Sequence, residues 1–306
     1  YLEVVSTVTT TGLPIFEQSS LSETLVIWRV SLGWASGFLI WVFAWSIFAP
    51  LNLGGFEHLG ARRQTVNQSQ SARQTVGRLP AEKFWREALR LGPIYRWITL
   101  ASALSLLLIS GDPSYAILRA MATIATFGIE IPKHSDAGGI PGEATLAVVM
   151  LFALSRSTFS TVFARARKWR VTEDPELRVA AGLVLVATLV FIGQGVHSVA
   201  GFGARLELMW GAFFTSLSFL TTTGLTSDSL PSEILNFDPV EIILVALAMI
   251  GGGVATTAGG IKLLRVFILA GHSRAEVNRL IAPSQVISGQ LESRSQDHHS
   301  AMLACV

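Results

Sequence analysis

The feature that most constrains this chain is the run at residues 25–50, which is apolar almost throughout and carries Arg29 as its one charge. At about 1.5 Å per residue, a helix over this run exceeds the roughly 30 Å hydrocarbon core of a bilayer. The whole chain of 306 residues is 50% hydrophobic and only 14% charged, with a mean hydropathy of +0.51. Soluble domains carry about a quarter charged residues. The sequence therefore predicts a membrane protein, in contact with lipid.

Four further segments are apolar enough to span, namely residues 94–110, 143–164, 179–199 and 239–270. Segments 114–132 and 206–227 lie between these spans and are too short and too mixed to cross. Each ends in a Thr- or Ala-rich strip followed by a glycine, which indicates a re-entrant half-helix and loop.

The strip Thr-Thr-Thr-Gly-Leu occurs twice, at residues 9–13 and 221–225, and a degenerate copy lies at residues 123–128. Aligning Gly12, Gly128 and Gly224 places each strip ahead of a span. Repetition of one unit in the same setting indicates an architecture of repeats. We predict an all-α membrane protein of helix–pore loop–helix units around a central pore, with three filter loops visible.

A Thr-rich strip ending in glycine suits the binding of a dehydrated cation. Extended backbone at membrane depth directs carbonyl oxygens at a passing ion, and rings of such oxygens replace its hydration shell. Threonine favours extended backbone and adds a hydroxyl oxygen, while glycine permits otherwise closed backbone angles. The oxygens are neutral and numerous, which favours an alkali cation over calcium.

Basic residues predict the orientation. Of the 23 Lys and Arg, 18 fall in residues 62–96, 165–178 and 262–294, which the positive-inside rule makes cytoplasmic. The opposite side is acidic and concentrates cations. The net charge of +2 gives no reason to expect a nucleic-acid partner. Arg29 is expected to anchor its span at the membrane interface.

At these residues the chain resembles the Trk/Ktr/HKT superfamily of potassium transporters, and most of all the bacterial Trk membrane subunit. The resemblance is carried by the two TTTG strips, by "MIGGGVATTAGGIKLLRVFIL" at residues 249–269, and by "EVNRLIAPSQV" at residues 276–286. It implies potassium uptake across the bacterial inner membrane by a multi-pass protein, through a carbonyl-lined filter gated by a Gly-rich intramembrane loop.

The resemblance also assigns residues to the filter and to the gate. The potassium-binding filter residues are Thr10, Thr11, Gly12, Thr126, Phe127, Gly128, Thr222, Thr223 and Gly224. The gate residues are Gly251, Gly252, Gly253, Thr256, Thr257, Gly259, Gly260, Lys262 and Arg265. Potassium is the transported ion, and no covalently bound cofactor is expected. The family implies a homodimer and a cytoplasmic nucleotide-binding regulatory subunit.

The repeats predict the domain organisation. Its units are residues 1–50 (first repeat, pore loop and inner helix), 51–92 (basic linker), 93–164 (second repeat), 165–178 (cytoplasmic hairpin), 179–270 (third repeat with a broken inner helix) and 271–306 (linker toward a missing fourth repeat). The chain is thus expected to be a fragment. Phe127 stands where the family has a small residue and is expected to narrow that quarter of the filter.

The residues leave several alternatives open. The chain is a sodium-permeable or cation-coupled relative, or a non-conducting truncated remnant, if the filter is altered or incomplete. The Gly-rich stretch is a gate or a tolerated helix kink, and Lys262 and Arg265 either snorkel to the cytoplasm or anchor the gate. Catalysis is not expected, because the spans hold no pair of carboxylates and no nucleophile with a base.

Overall fold

The computed structural model describes residues 1–9, 21–48, 80–129, 131, 138–151, 154, 175–195, 201–235, 238–253 and 256–281. Within these ranges every regular element is a helix, and the predicted all-α class is confirmed. The helices are α1 (Leu2–Val8), α2 (Glu23–Phe43, continued by a π-helical turn Ala44–Phe48), α3 (Pro80–Ser110), α4 (Pro113–Ile124), α5 (Gly139–Leu151), α6 (Pro175–Gly195), α7 (Phe202–Leu220), α8 (Ser232–Leu235), α9 (Asp238–Ile250) and α10 (Leu263–Ile281).

Three helical stretches among the described residues are long and apolar enough to cross a membrane: Glu23–Ile47, Glu82–Ser110 and Leu177–Gly195. They lie in α2, α3 and α6 and correspond to three of the predicted spans. The described part of the predicted span at 143–164 is the shorter helix α5. The predicted span at 239–270 is two helices, α9 and α10, separated by the Gly-rich segment.

Helix α3 begins at Pro80, inside the stretch assigned to the basic linker and well ahead of the predicted start at residue 94. Its first turns are polar, and Glu87 there lies 3.8 Å from Arg86 and 3.6 Å from Arg90. Charged residues of opposite sign one turn apart support a solvated helix. A search for apolar runs misses such an extension, because the first turns of the helix are made of polar residues.

The two re-entrant segments form helices as expected, although α7, with 19 residues, is longer than the predicted half-helix. Helix α4 starts where the sequence "GDPS" supplies both an N-cap and a proline. The Asp112 carboxylate accepts hydrogen bonds from the backbone N–H of Ser114 at 2.9 Å and of Tyr115 at 3.3 Å. Pro113 takes the first helical position, where its missing N–H has no helical partner to lose.

Helices α2 and α3 are joined through Tyr95, which is buried. Its ring centroid lies 5.2 Å from that of Trp34 and 4.9 Å from that of Trp41, and its hydroxyl donates to the Trp34 carbonyl oxygen at 2.9 Å. A buried phenol requires such an acceptor where no water is at hand. The first and second repeats are therefore packed against each other along these helices.

The largest hydrophobic cluster lies between the second and third repeats. Its buried members come from α3 to α7, α9 and α10, and include Leu106, Met150, Phe214, Leu220 and Leu263. Leu225, in the loop that follows α7, belongs to the same cluster. Helices α4 and α7 are thus held on a shared apolar core, whereas Phe127 and Ile129 of the loop after α4 belong to a separate cluster with α2.

Arg29 corrects one expectation. The sequence places it at the membrane interface, whereas the structure buries it at 5% exposure, with Nη1 3.3 Å from Glu3 Oε1 of α1. A cation inside an apolar helix must be paired or reach water. Here α1 packs along α2 and supplies the carboxylate, so the arginine faces protein.

Candidate functional site

The second and third predicted strips have the same backbone geometry. Thr126 and Thr222, which the glycine alignment pairs, both take left-handed angles, with φ of 52° and 56°. Their N–H groups donate to the carbonyls of Thr123 and Phe219, at 3.1 and 3.0 Å. In each strip the next N–H donates to the carbonyl five residues before it, at 3.2 Å in the second strip and 2.8 Å in the third. Helices α4 and α7, which we call the pore helices after the predicted pore, therefore end in the same Schellman-type cap, with threonine where glycine is usual.

The two strips lie side by side. A Cβ added to Gly128 would be 2.2 Å from the Thr223 carbonyl oxygen, and one added to Gly224 would be 3.9 Å from Gly128 Cα. Only a residue without a side chain allows this approach. The structure thus brings Gly128 and Gly224 together, as the alignment of the repeats predicts. Thr10, Thr11 and Gly12 of the first strip lie outside the described residues.

The third strip carries buried hydroxyl groups. Thr221 and Thr223 are fully buried, with their hydroxyl oxygens 2.9 Å apart. In the second strip Thr126 is 1% exposed, and its hydroxyl has no hydrogen-bond partner among the described residues. Buried polar atoms are nearly always satisfied, so an orphaned hydroxyl at this depth is consistent with an oxygen that serves an ion or water.

The side chain of Phe127 is completely buried and belongs to the cluster around α2 and α4. A Cβ added to Gly33 of α2 would lie 2.4 Å from Phe127 Cε1, so the ring rests directly on that glycine. The expectation that Phe127 narrows its quarter of the filter is therefore not met by the side chain. Gly33 provides the space that takes the ring out of the way.

The Gly-rich segment is a closed loop rather than a kink. Its two ends are joined by backbone hydrogen bonds from Ile261 to Met249 at 2.9 Å and from Lys262 to Ile250 at 2.9 Å. Gly251 and Gly260 face each other with φ of +74° and +79°, and a Cβ on Gly260 would be 2.7 Å from Gly251 Cα. We call residues 251–262 the gate loop after the role that the resemblance predicts for them; within this loop, residues 254 and 255 lie outside the described part of the chain.

The tip of the gate loop touches both pore helices. The N–H of Gly259 donates to Thr222 Oγ1 at 2.7 Å, and Thr257 Oγ1 donates to the carbonyl of Ile124, the last residue of α4, at 3.3 Å. Thr256 and Thr257 are buried. The loop therefore closes against the ends of α4 and α7, at the level where the two strips begin.

Lys262 turns into the gate loop. Its ammonium group donates to the carbonyl oxygen of Ala258 and lies 3.5 Å from that of Thr256. The lysine is therefore bound within its own loop, and its role as an anchor of the gate stays a prediction. Arg265 lies in the first turn of α10, where its N–H donates to the Lys262 carbonyl at 3.1 Å.

A cavity of about 380 Å³ opens between the second and third repeats, beside both glycines. Its wall includes Gly128, Gly224, Arg119, Glu143 and Asp228. Sequence reasoning counted Glu143 only among the acidic residues of the outer side. No local motif marks it, because the residues that donate hydrogen bonds to it lie 67 to 85 positions further along the chain.

These features define a class of protein. Two helix–loop–helix units whose strips have the same geometry, with a Gly-rich loop against the ends of both helices, are the architecture of a membrane protein in which irregular backbone lines a pathway.

Comparison with known proteins agrees. The chain is 31% identical to the Trk system potassium uptake protein TrkH of Escherichia coli K12 over 308 residues, covering 96% of this chain and 59% of that protein. It is 26% identical to TrkG of the same organism over 305 residues, covering 94% and 57%. The crystal structure of TrkH from Vibrio parahaemolyticus superposes with a TM-score of 0.73 at 24% identity, covering 94% of this chain and 56% of that one.

No family model matches the chain. The predicted resemblance is nevertheless confirmed, because the chain is similar to Trk system potassium uptake proteins over nearly its whole length. It spans a little under three fifths of the length of the curated relatives it matches. The predicted location, as a multi-pass protein of the bacterial inner membrane, is confirmed as well.

Proposed function

We propose that this chain forms part of a pathway for potassium uptake, in which the Thr- and Gly-rich strips replace the hydration shell of the ion. The observation that carries the proposal is the convergence of two equivalent strips, with the Thr223 carbonyl oxygen set against Gly128. The buried hydroxyl of Thr126, which has no hydrogen-bond partner in the described part of the chain, supports it, because cation coordination would satisfy that oxygen. Relatives named as potassium uptake proteins favour potassium as the ion.

The ends of α4 and α7 support a cation at the same place. A helix carries a partial negative charge at its C-terminus, and both pore helices end at the strips. The ion would therefore meet oxygen dipoles without any carboxylate ligand. Nothing in such a pathway requires a nucleophile, and the matched relatives are named as transport proteins rather than enzymes.

The gate loop is the proposed barrier. It lies against the ends of both pore helices. The positively charged ammonium group of Lys262 contacts two of the carbonyl oxygens of the loop. Opening requires the loop to leave Thr222 and Ile124. Hydrogen bonds to Thr222 and Ile124 hold its described tip, so a change in the positions of α9 and α10 that breaks them would shift the balance between closed and open states.

The predicted homodimer and cytoplasmic nucleotide-binding subunit belong to the same proposal. Surface for lipid is available on the spans, where large apolar side chains such as Leu108 and Leu185 are exposed. The polar start of α3 and the end of α10 are the described segments that would face a cytoplasmic partner.

Growth of a bacterium deficient in potassium uptake tests the proposal. The complete reading frame that carries this chain is expected to restore growth on low potassium. Gly224→Ser is expected to abolish that rescue, because Gly224 has φ +73° and adjoins Gly128. Rescue that needs sodium would favour the sodium-coupled alternative. Failure of the parent protein, at normal membrane levels, would favour the non-conducting remnant.

A further inference from the structure

Glu143 is a buried carboxylate that the proposed pathway does not use as a ligand. It lies on α5, in the second repeat, with 9% of its surface exposed. Its Oε2 accepts hydrogen bonds from Trp210 Nε1 at 2.7 Å and from the Ser227 hydroxyl at 2.8 Å, and its Oε1 accepts one from the Asp228 N–H at 3.1 Å. All three donors belong to the third repeat.

The loop that Glu143 holds is the continuation of the third strip. Ser227 follows Gly224 by three residues, and its N–H donates to Thr215 Oγ1 of α7 at 3.2 Å. Leu225, directly after the glycine, donates its N–H to Ser218 Oγ at 2.6 Å. The strip is thus fixed to its own pore helix from behind. Glu143 is the contact that fixes it to the neighbouring repeat.

This contact sets the spacing of the two strips on their outer side. On the inner side they touch directly, at Gly128 and Thr223, and further out Glu143 ties the second repeat to the loop beyond Gly224. Discrimination between alkali cations depends on the number and placement of the oxygens around the ion. A binding site must hold its groups within about 0.5 Å to keep such discrimination, which requires support from the surrounding residues.

We propose that Glu143 is a positioning residue that fixes the third strip relative to the second and thereby sets the preference for potassium over sodium. The inference rests on the proposed uptake function. Hydrogen bonds to a buried charged group are stronger than those between neutral groups, so one carboxylate with three donors suits a rigid support. A general field effect of its charge would act alike on both monovalent cations and leave their ratio unchanged.

The test uses the complete reading frame in a strain that lacks other potassium uptake, with initial uptake rates measured for potassium and for sodium at equal membrane levels. Glu143→Gln leaves one acceptor oxygen, so whichever way the amide lies, its NH₂ faces the donor of either Trp210 or Asp228. We expect it to lower the potassium-to-sodium ratio by about tenfold, which corresponds to about 1.4 kcal/mol. Glu143→Asp keeps the acceptors on a shorter stem and is expected to retain part of the preference.

Glu207→Gln is the matched control. Glu207 is an exposed carboxylate on α7, so this change removes the same charge without touching the Glu143 contacts. Its ratio is expected to equal that of the parent. An equal fall in both variants, or an unchanged ratio in Glu143→Gln, would overturn the proposal.

Two further variants cover the case in which Glu143→Gln does not reach the membrane. Trp210→Phe and Ser227→Ala each remove one donor to Oε2, and each is expected to lower the ratio by about threefold in the same direction. If neither does, the role of Glu143 is refuted. A parent protein without potassium uptake would refute the proposed function itself, whereas normal uptake with an unaltered ratio in all variants refutes only this inference.

Discussion

Thr126 and Thr222 adopt a strained backbone conformation at the candidate site. Both are β-branched residues in the left-handed region, where such side chains are disfavoured by about 1–3 kcal/mol. Glycine would remove the strain but would also remove two hydroxyl groups. One of these accepts from the gate loop, and the other is buried without a partner among the described residues. Because threonine stands at both equivalent positions in spite of this strain, we infer that its hydroxyl group has a role in the candidate site.

Gly128 gives a sharp test at the residue scale. Gly128→Ala would place a Cβ 2.2 Å from the Thr223 carbonyl oxygen, an overlap that only a backbone shift can relieve. We expect potassium uptake to fall at least tenfold, with the protein still present in the membrane. The control is Gly182→Ala in α6, where a Cβ meets no atom within 4 Å and uptake is expected to stay normal. Equal activity of the two variants would contradict the packed arrangement of the strips.

At the scale of elements, small residues decide how closely the helices and loops approach. Gly33 and Gly37 line the face of α2 that meets the second loop. A Cβ on Gly37 would be 2.8 Å from that of Ala125. Close contact through small residues is the usual way for helices to pack within membranes. The first repeat therefore supports the second strip from the side.

Gly33→Ala tests this support. The new methyl group would overlap the Phe127 ring at 2.4 Å and force the ring, and the strip that carries it, to move. We expect potassium uptake to drop several-fold, since overpacking a tight contact is destabilising by about 1–3 kcal/mol. Adding Phe127→Leu, which shortens the side chain, is expected to restore part of the loss. If Gly33→Ala alone leaves potassium uptake unchanged, α2 does not position the second strip.

The gate loop is a second element whose closure depends on glycine. Gly251 has φ +74°, and a Cβ there would lie 2.0 Å from the Gly259 carbonyl oxygen. Gly251→Ala is therefore expected to prevent the loop from closing and to abolish gating. The measurement is potassium flux in the resting state, in membrane vesicles, where we expect an ungated leak at least about fivefold above the parent. Gly271→Ala, in α10 with open space around it, is the control. A parent-like resting flux would exclude the loop as the barrier.

At the scale of the whole molecule, the basic residues and the loops give one orientation. The polar start of α3 is assigned to the cytoplasm, while the start of α7 is assigned to the outside. The side that this orientation makes the outer one carries the cavity beside Gly128 and Gly224, with Glu143 and Asp228 in its wall. A cation approaching from outside would therefore meet acidic groups before it meets the strips.

Cysteine labelling tests this orientation. In a Cys305→Ser background, Arg86→Cys and Glu207→Cys each replace an exposed side chain. A membrane-impermeant thiol reagent is expected to label the cysteine at 207 in intact spheroplasts and the cysteine at 86 only after permeabilisation. The reverse labelling pattern would show that the acidic side faces the cytoplasm, which is opposite to the predicted orientation.

The sequence by itself determined the membrane environment, the repeat unit and the positions of the strips and of the helix break. These depend on apolar run length, on charge distribution and on glycine placement, which are local properties of the chain. The resemblance to potassium transporters is likewise carried by short contiguous stretches, so the residues alone are enough to show it.

Only the tertiary structure decided which surfaces meet. It buried Arg29 against Glu3, turned Phe127 onto Gly33, directed Lys262 into the gate loop and joined Glu143 to the loop after Gly224. Except for that of Lys262, which lies within its own loop, these contacts link residues of different elements, and Glu143 and Ser227 are 84 positions apart. A local pattern cannot encode such a pairing, because the partner of a buried polar group is set by how the helices pack.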